Sequence, residues 1–358
     1  MQRRFGLGSV LFAALCLVGC PSSDSGKSPT GGATPSSSAT KSSIDLKGLS
    51  GTITIDGSST VYPVAEAVAE EFQNESKGAV RVTVGIKGTG GGFKRFCAGE
   101  TDISNASRPI LKEEMELARS NNVEYIELPI CFDALTIAVH PENTWAKTIT
   151  VEELRRMWEP AAQGTLTRWN QIRPDWPDQE MRLFGAGTDS GTFDYFTEAV
   201  VGKAKSCRGD FTASEDDNVL VQGIAGNKYA LGFLPYAYYQ PNANKLRAVA
   251  VDWEKDKEGP VLPSAETVVN GTYNPLSRPL FIYVSKTAAA RPEVDKFIEY
   301  YLTNVATLAT EVKYVPLPSK AYEMALERFH ARQTGTGFGG VPEVGLPVEE
   351  ILKREPKQ

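Results

Sequence analysis

The sequence predicts an α/β protein built as two lobes. A strand, a Gly/Ser/Thr-rich turn and a helix follow one another three times, the alternation that gives parallel sheets with helices packed on them. From residue 49 onward about 310 residues of ordinary globular composition remain, enough for two domains of typical size. The chain is 41% hydrophobic and 23% charged, and no repeat of solenoid length is visible.

Ahead of the globular part, Arg3 and Arg4 precede the apolar run FGLGSVLFAALCLVGC. That run has the length of a signal-peptide core and is too short and interrupted for a comfortable transmembrane helix. Residues 1–19 are read as a signal peptide. Its end, Leu17-Val18-Gly19-Cys20, resembles the bacterial lipobox, in which the cysteine takes a diacylglycerol thioether and becomes the first mature residue. A small residue before a cysteine also arises by chance. Lipidation at Cys20 would hold the protein in the periplasm or at the outer face of the cell membrane without spanning it. Residues 20–48, dominated by Ser, Gly, Pro and Thr, bury too little apolar surface to offset their ordering entropy and read as a flexible tether.

The first unit is the strand GTITID, the turn GSST and the helix PVAEAVAEEFQNE, with Val64, Ala67, Val68 and Phe72 on one face. Pro63 fits the first helical turn because that amide has no intrahelical partner. The second runs from AVRVTVGI through KGTGGG to FKRFCAG, and the third from Met181–Phe184 through GAGTDSG to TFDYFTEAV. The first amides of a helix lack carbonyl partners and its dipole is positive there, so each turn is a candidate anion cradle. Taken singly, each also reads as an ordinary N-cap. The P-loop pattern GxxxxGK[ST] is absent, and KGTGGGFK does not supply GxGxxG. Between the second and third turns, DISNASRPI sets Arg108 before Pro109 and keeps it extended in a loop, either toward a ligand or in a surface salt bridge.

Formal charge is -6, and removing residues 1–19 takes away two arginines and no acid, so -6 - 2 = -8. A broad nucleic-acid footprint is not expected. Cys16 leaves with the signal peptide and Cys20 is the lipid candidate, which leaves Cys97, Cys131 and Cys207. In an oxidising exterior one disulfide is expected, its pairing open. With His140 and His330 as the only histidines and no Cys-x-x-Cys, neither a metal site nor a cofactor is expected.

In this order DGSSTVYP, GTGGGFK, TDISNASRPI and GTDSGTFDYF, together with CRGDFTASEDDNVLVQGI and ALGFLPYAYY, resemble the phosphate-binding proteins of bacterial high-affinity phosphate ABC transporters. The resemblance runs from about Gly51 to Pro318. It implies a type II-like periplasmic-binding-protein fold: two α/β lobes, two hinge-crossing strands near 134–141 and 279–286, and an anion in the interlobe cleft. Residues 49–136 plus 281–330 would form one lobe and 137–280 the other, with 331–358 a loosely packed C-terminal extension. Carried over by position, the anion would be held by Ser59, Thr60 and the amides through Val61, by Thr89 and Gly90, and by Ser190, Gly191 and Thr192. The better-studied branch has an arginine and an aspartate where this chain has Ala186 and Arg108, so the charges look exchanged between lobes. Arg108 would then face the phosphate, and Asp189 would accept its proton, orient Arg108 or simply cap the helix.

The function implied is capture of inorganic phosphate by a lipid-anchored monomer that serves the permease subunits of an ABC importer. Another tetrahedral oxyanion such as sulfate keeps the fold and changes the ligand. A secreted phosphoesterase would need an activated nucleophile, an acid or base, or a metal, for which the scarce histidines offer little.

Overall fold

The computed structural model describes residues 44–358 other than 189 and 215, so the expected signal peptide, Cys20 and Asp189 lie outside the described residues. β1 (Gly51–Gly57) pairs in parallel with β2 (Val80–Val84) and β3 (Ile103–Ala106). The connections are α1 (Tyr62–Glu75) and α2 (Gly88–Cys97), and α3 (Lys112–Ser120) follows. α1 buries Val64, Ala65, Val68, Ala69 and Phe72, a single helical stripe, with its proline in the first turn as the sequence requires.

β4 (Tyr125–Val139) is buried along all 15 residues and is about 50 Å long at ~3.3 Å per residue. The remaining strands are β5 (Thr148–Thr150), β6 (Arg182–Ala186), β7 (Thr212–Ser214), β8 (Ala230–Pro235), β9 (Arg247–Ala248), β10 (Ala250–Asp252), β11 (Pro260–Val261), β12 (Ser277–Ser285) and β13 (Val315–Pro316). The large sheet has the order β2-β1-β3-β12-β4-β8-β6-β7, while β5, β10 and β11 form a small separate sheet.

β4 is the outward crossing. Through Ala134 it pairs with β12, and from Leu135 onward with β8. β12 lies antiparallel to both β3 and β4, from Ser277 opposite Ala134 to Ser285 opposite Tyr125, so the return passage comes just before it. Sheet pairing is parallel among β1, β2 and β3 and among β6, β7 and β8, and antiparallel where the chain leaves one lobe and comes back. This is the two-lobed periplasmic-binding-protein architecture that the motifs imply.

Two further helices meet behind the third turn of the sequence pattern through aromatic side chains. α4 (Val151–Trp158) buries Leu154, Met157 and Trp158, and α5 (Gly191–Phe196) buries Phe193, Tyr195 and Phe196. Phe196 stacks on Phe233 at 3.8 Å between centroids, and Trp158 meets both rings edge-on at 5.3 and 5.0 Å. Fully burying one such side chain contributes on the order of 2–3 kcal/mol, so this knot fixes where the turn before α5 points.

The C-terminal extension is tightly packed, in contrast to the loose segment expected. Glu127, fully buried in β4, accepts hydrogen bonds from Tyr283 Oη at 2.6 Å, Thr336 Oγ1 at 2.5 Å and the Gly337 amide at 2.9 Å. Burial pushes its carboxyl up from the ordinary range, and these three donors oppose that shift. Phe338 packs edge-on against Phe281 at 5.7 Å, and the helix Val348–Lys353 buries Val348, Ile351 and Leu352. A segment that looks glycine-rich and polar is thus the satisfying partner of a buried carboxylate. The expected disulfide does not form: Cys97, Cys131 and Cys207 are free thiols. Burial pushes Cys97 up to about 12 and Cys207 to about 11, which leaves both unreactive as nucleophiles at neutral pH.

Candidate functional site

The first two turns are brought together by close backbone packing. A Cβ on Gly92 of α2 would lie 2.4 Å from the Gly57 Cα, so only glycine lets α2 sit this tightly on the end of β1. The Ser58-Ser59-Thr60 turn and Gly88 and Thr89 consequently line one cavity of about 210 Å³, together with Ser107, Arg108 and Arg278. Gly88 and Thr89 open α2 itself, so the helix starts within the KGTGGG stretch that the sequence reads as a turn. Thr89 Oγ1 and Ser107 Oγ are 2.9 Å apart, and the Ser107 amide donates to Thr89 Oγ1 at 3.2 Å.

The third turn meets the first from the other lobe. Thr60 Oγ1 donates to the Gly191 carbonyl at 3.5 Å, and a Cβ on Gly191 would lie 2.7 Å from Thr60 Oγ1 and 2.8 Å from its Cα. Tyr314 Oη holds the Thr60 carbonyl at 2.6 Å. Ser190, Gly191 and Thr192 line a neighbouring cavity of about 400 Å³ with Ser59 and Asp133. Ser190 caps α5, its Oγ accepting from the Thr192 amide at 3.1 Å, so that amide is already engaged. Val61 is buried at the N-cap of α1. Gly90 lies beside the Arg108 guanidinium: a Cβ there would come 3.7 Å from Arg108 Nη2, an ordinary van der Waals contact that would not displace it.

Arg108 both faces the cavity and is paired. Glu114 takes its Nη1 at 2.9 Å and Nη2 at 2.8 Å, a bidentate fork. Burial disfavours the charge, the Glu114 carboxylate outweighs that penalty, and the guanidinium is held more firmly charged than usual.

Arg278 and Asp133 were not picked out from the sequence. They stand directly opposite each other on β12 and β4. Arg278 Nη2 donates to Thr60 Oγ1 at 3.3 Å, its guanidinium lies 3.6 Å over the Tyr195 ring, and its Nη1 is 3.5 Å from Glu198 Oε2. Because β12 runs antiparallel to β3 with Phe281 opposite Ala106, the ends carrying Arg278 and Arg108 lie together. A signal did exist: Ser-Arg-Pro occurs at 107–109 and again at 277–279. Asp133 is 4% exposed and its Oδ2 lies 3.6 Å from Arg278 Nη2, beyond hydrogen-bond distance. That oxygen has no hydrogen-bond partner among the described residues. Burial pushes the Asp133 carboxyl up to about 6, and Arg278 offsets only part of the shift. The arrangement offers hydroxyl and guanidinium donors in the first cavity, which Asp194 and Glu198 also line, and a buried acceptor, Asp133, in the neighbouring one. Among the described residues no group of His, Cys, Asp and Glu is placed to hold a metal ion.

Comparison with known proteins places the chain in a family. Residues 33–305 match the model of the PBP superfamily domain. The chain is 52% identical to protein SphX of Synechocystis over 307 residues, 86% of this chain and 90% of that one. It is 36% identical over 276 residues to the phosphate-binding protein PstS of Staphylococcus saprophyticus, covering 76% and 82% of the two chains. A crystal structure of a possible phosphate binding protein from Planctomyces limnophilus superposes with a TM-score of 0.75 at 46% identity, over 79% of this chain and 99% of that one. The chain belongs to the PBP superfamily and, within it, to the family of phosphate-binding proteins that includes PstS and SphX.

Proposed function

We propose that this protein captures inorganic phosphate outside the cytoplasm and hands it to the permease subunits of an ABC importer, as a monomer anchored through Cys20. The observation that carries the reading is the convergence of Arg108, Arg278 and the hydroxyls of Ser59, Thr60, Thr89 and Ser107 on one cavity. Gly191 meets Thr60 there from the other lobe. Each hydrogen bond from a charged donor to the anion would contribute about 1.5–3 kcal/mol. In this reading Val61 and Gly90 shape the two cradling turns, and Ser190, Gly191 and Thr192 close over the anion.

Selectivity rests on the acceptor. Near neutral pH phosphate still carries a proton and sulfate does not, so a carboxylate with an unused lone pair attracts the first and repels the second. Asp133 Oδ2 is such a group, and this reading gives it the acceptor role that the sequence left open for Asp189, which lies outside the described residues. Binding without catalysis is supported by the histidines: His330 pairs with Glu299 at 3.0 Å, His140 Nδ1 accepts the Glu142 amide at 3.1 Å, and neither lines a cavity of the site.

Calorimetry of the purified protein with inorganic phosphate, repeated in excess sulfate, tests the reading. Saturable heat with phosphate that sulfate leaves intact is the expected result, and no heat with phosphate sinks it. A chromogenic phosphomonoester run in parallel is expected to show no turnover. Labelled fatty acid incorporated into the wild type and lost in Cys20→Ser is the expected outcome for the anchor.

A further inference from the structure

The anion cavity continues on the side of the C-terminal extension. A second cavity of about 290 Å³ shares Ser107, Arg108, Glu198 and Arg278 with it. Beyond those four residues its walls are largely apolar, with Tyr195, Trp253, Pro279, Phe338 and Leu346. Several of these walls are fixed. Tyr195 is 4% exposed, donates from Oη to the Pro275 carbonyl at 2.7 Å and carries the Arg278 guanidinium on its ring face. Phe338 is locked edge-on against Phe281. The loop carrying Leu346 is held at one end by the ion pair of Arg354 Nη2 with Glu343 Oε2 at 3.0 Å. At the other it passes so close to Gly271 that a Cβ there would lie 2.5 Å from the Gly345 carbonyl oxygen.

A bare tetrahedral anion has no apolar part to place in this compartment. Two guanidinium groups that face both spaces can hold a phosphoryl group in the first while a substituent occupies the second. Apolar walls with a few fixed polar groups are the composition of small-molecule pockets. We propose that the site also takes phosphate monoesters and phosphonates with a small apolar or aromatic substituent. The phosphoryl group sits on Arg108 and Arg278, and the substituent lies among Tyr195, Trp253 and Leu346. The proposal rests on the phosphate reading above and involves binding alone, with no bond made or broken.

The test is displacement of radiolabelled inorganic phosphate from the purified protein by phenylphosphonate and by methylphosphonate. Phenylphosphonate is expected to displace phosphate, and to do so at lower concentration than methylphosphonate. Ala199 lines the second cavity and not the first. Ala199→Trp should therefore weaken phenylphosphonate by about tenfold or more while leaving phosphate within about twofold. If that variant misfolds, Val344→Trp, on a loop residue 53% exposed, fills the same compartment from the other side. Phosphate binding that phenylphosphonate fails to disturb at roughly 1,000-fold excess overturns the proposal and leaves the phosphate reading standing. Displacement undiminished in both filled variants also overturns it. No phosphate binding by the wild type removes the phosphate reading and this proposal together.

Discussion

Replacing Asp133 by Asn separates stability from selectivity. An ordinary aspartate titrates near 3.8 and Asp133 near 6, because burial disfavours its charge more than Arg278 favours it. One pH unit corresponds to about 1.4 kcal/mol, so holding Asp133 ionised in the folded protein costs about 3 kcal/mol. A raised carboxyl contributes stability that is fully present below pH 3.8 and lost as pH rises through about 6, so the cost is in force at pH 7.5. Asn is isosteric and uncharged. Asp133→Asn is therefore expected to stabilise the ligand-free protein at pH 7.5 by up to about 3 kcal/mol, the attraction to Arg278 being already counted in that shift, with little gain at pH 4. The same change gives the site an amide donor where it had only an acceptor, so sulfate should begin to compete with phosphate. Denaturant unfolding at the two pH values reads the first effect, and calorimetry with and without excess sulfate reads the second. A variant that is less stable than wild type at pH 7.5, or that still excludes sulfate, refutes the assignment of Asp133 as the buried acceptor.

Three further outcomes follow from the same geometry. Arg278→Ala and Arg108→Ala should each lower phosphate affinity by about 1.5–3 kcal/mol, measured by calorimetry; wild-type affinity in either removes that arginine from the site. Gly191→Ala puts a methyl 2.7 Å from Thr60 Oγ1 and should obstruct the approach of the two lobes, weakening phosphate while the melting temperature of the ligand-free protein holds. Unimpaired binding there would mean that the contact between these turns does not form with ligand. Thr336→Val leaves Glu127 short of one donor and should cost about 1–3 kcal/mol in denaturant unfolding, with phosphate affinity unchanged; an unaltered midpoint would show the extension to be dispensable.

The parts of the site that were legible in the sequence are the ones made locally. A strand, a small-residue turn and a helix lie within a dozen residues of one another, so Ser59, Thr60 and Ser190 could be assigned to turns and Thr192 to a helix start before any tertiary information, while Thr89 and Gly191, also read as turn residues, already belong to α2 and α5. The same locality placed Arg108 in a loop, although not its bidentate partner Glu114. What stayed hidden comes from pairing between distant strands. Asp133 and Glu127 are lone acids inside YIELPICFDALTIAV, a run whose apolar character announces a buried strand and distracts from its two carboxylates. An acid that cannot reach water needs either donors or a function. The GTGF segment of the extension supplies donors to Glu127, which is why that glycine-rich stretch packs tightly after all.

Asp133 Oδ2 has no such donor, and the strand partner of Asp133 bears on the arginine that is missing at Ala186. Read from sequence, the missing arginine at Ala186 looked compensated by Arg108 alone. The sheet instead sets Arg278 beside Arg108 through the β3–β12 pairing and opposite Asp133 through the β12–β4 pairing. A single position on β12 thus links a donor of the anion cavity to the buried acceptor beside it. Both crossing passages converge at this point, because Ser277 opposite Ala134 is where β12 begins and where β4 passes from β12 to β8. The charge pair therefore sits at the hinge itself, and any motion that bends β4 there changes the Arg278–Asp133 separation of 3.6 Å directly. In the reading proposed above, anion recognition draws on two side chains at the place where β4 passes from β12 to β8, which neither residue's local sequence could reveal.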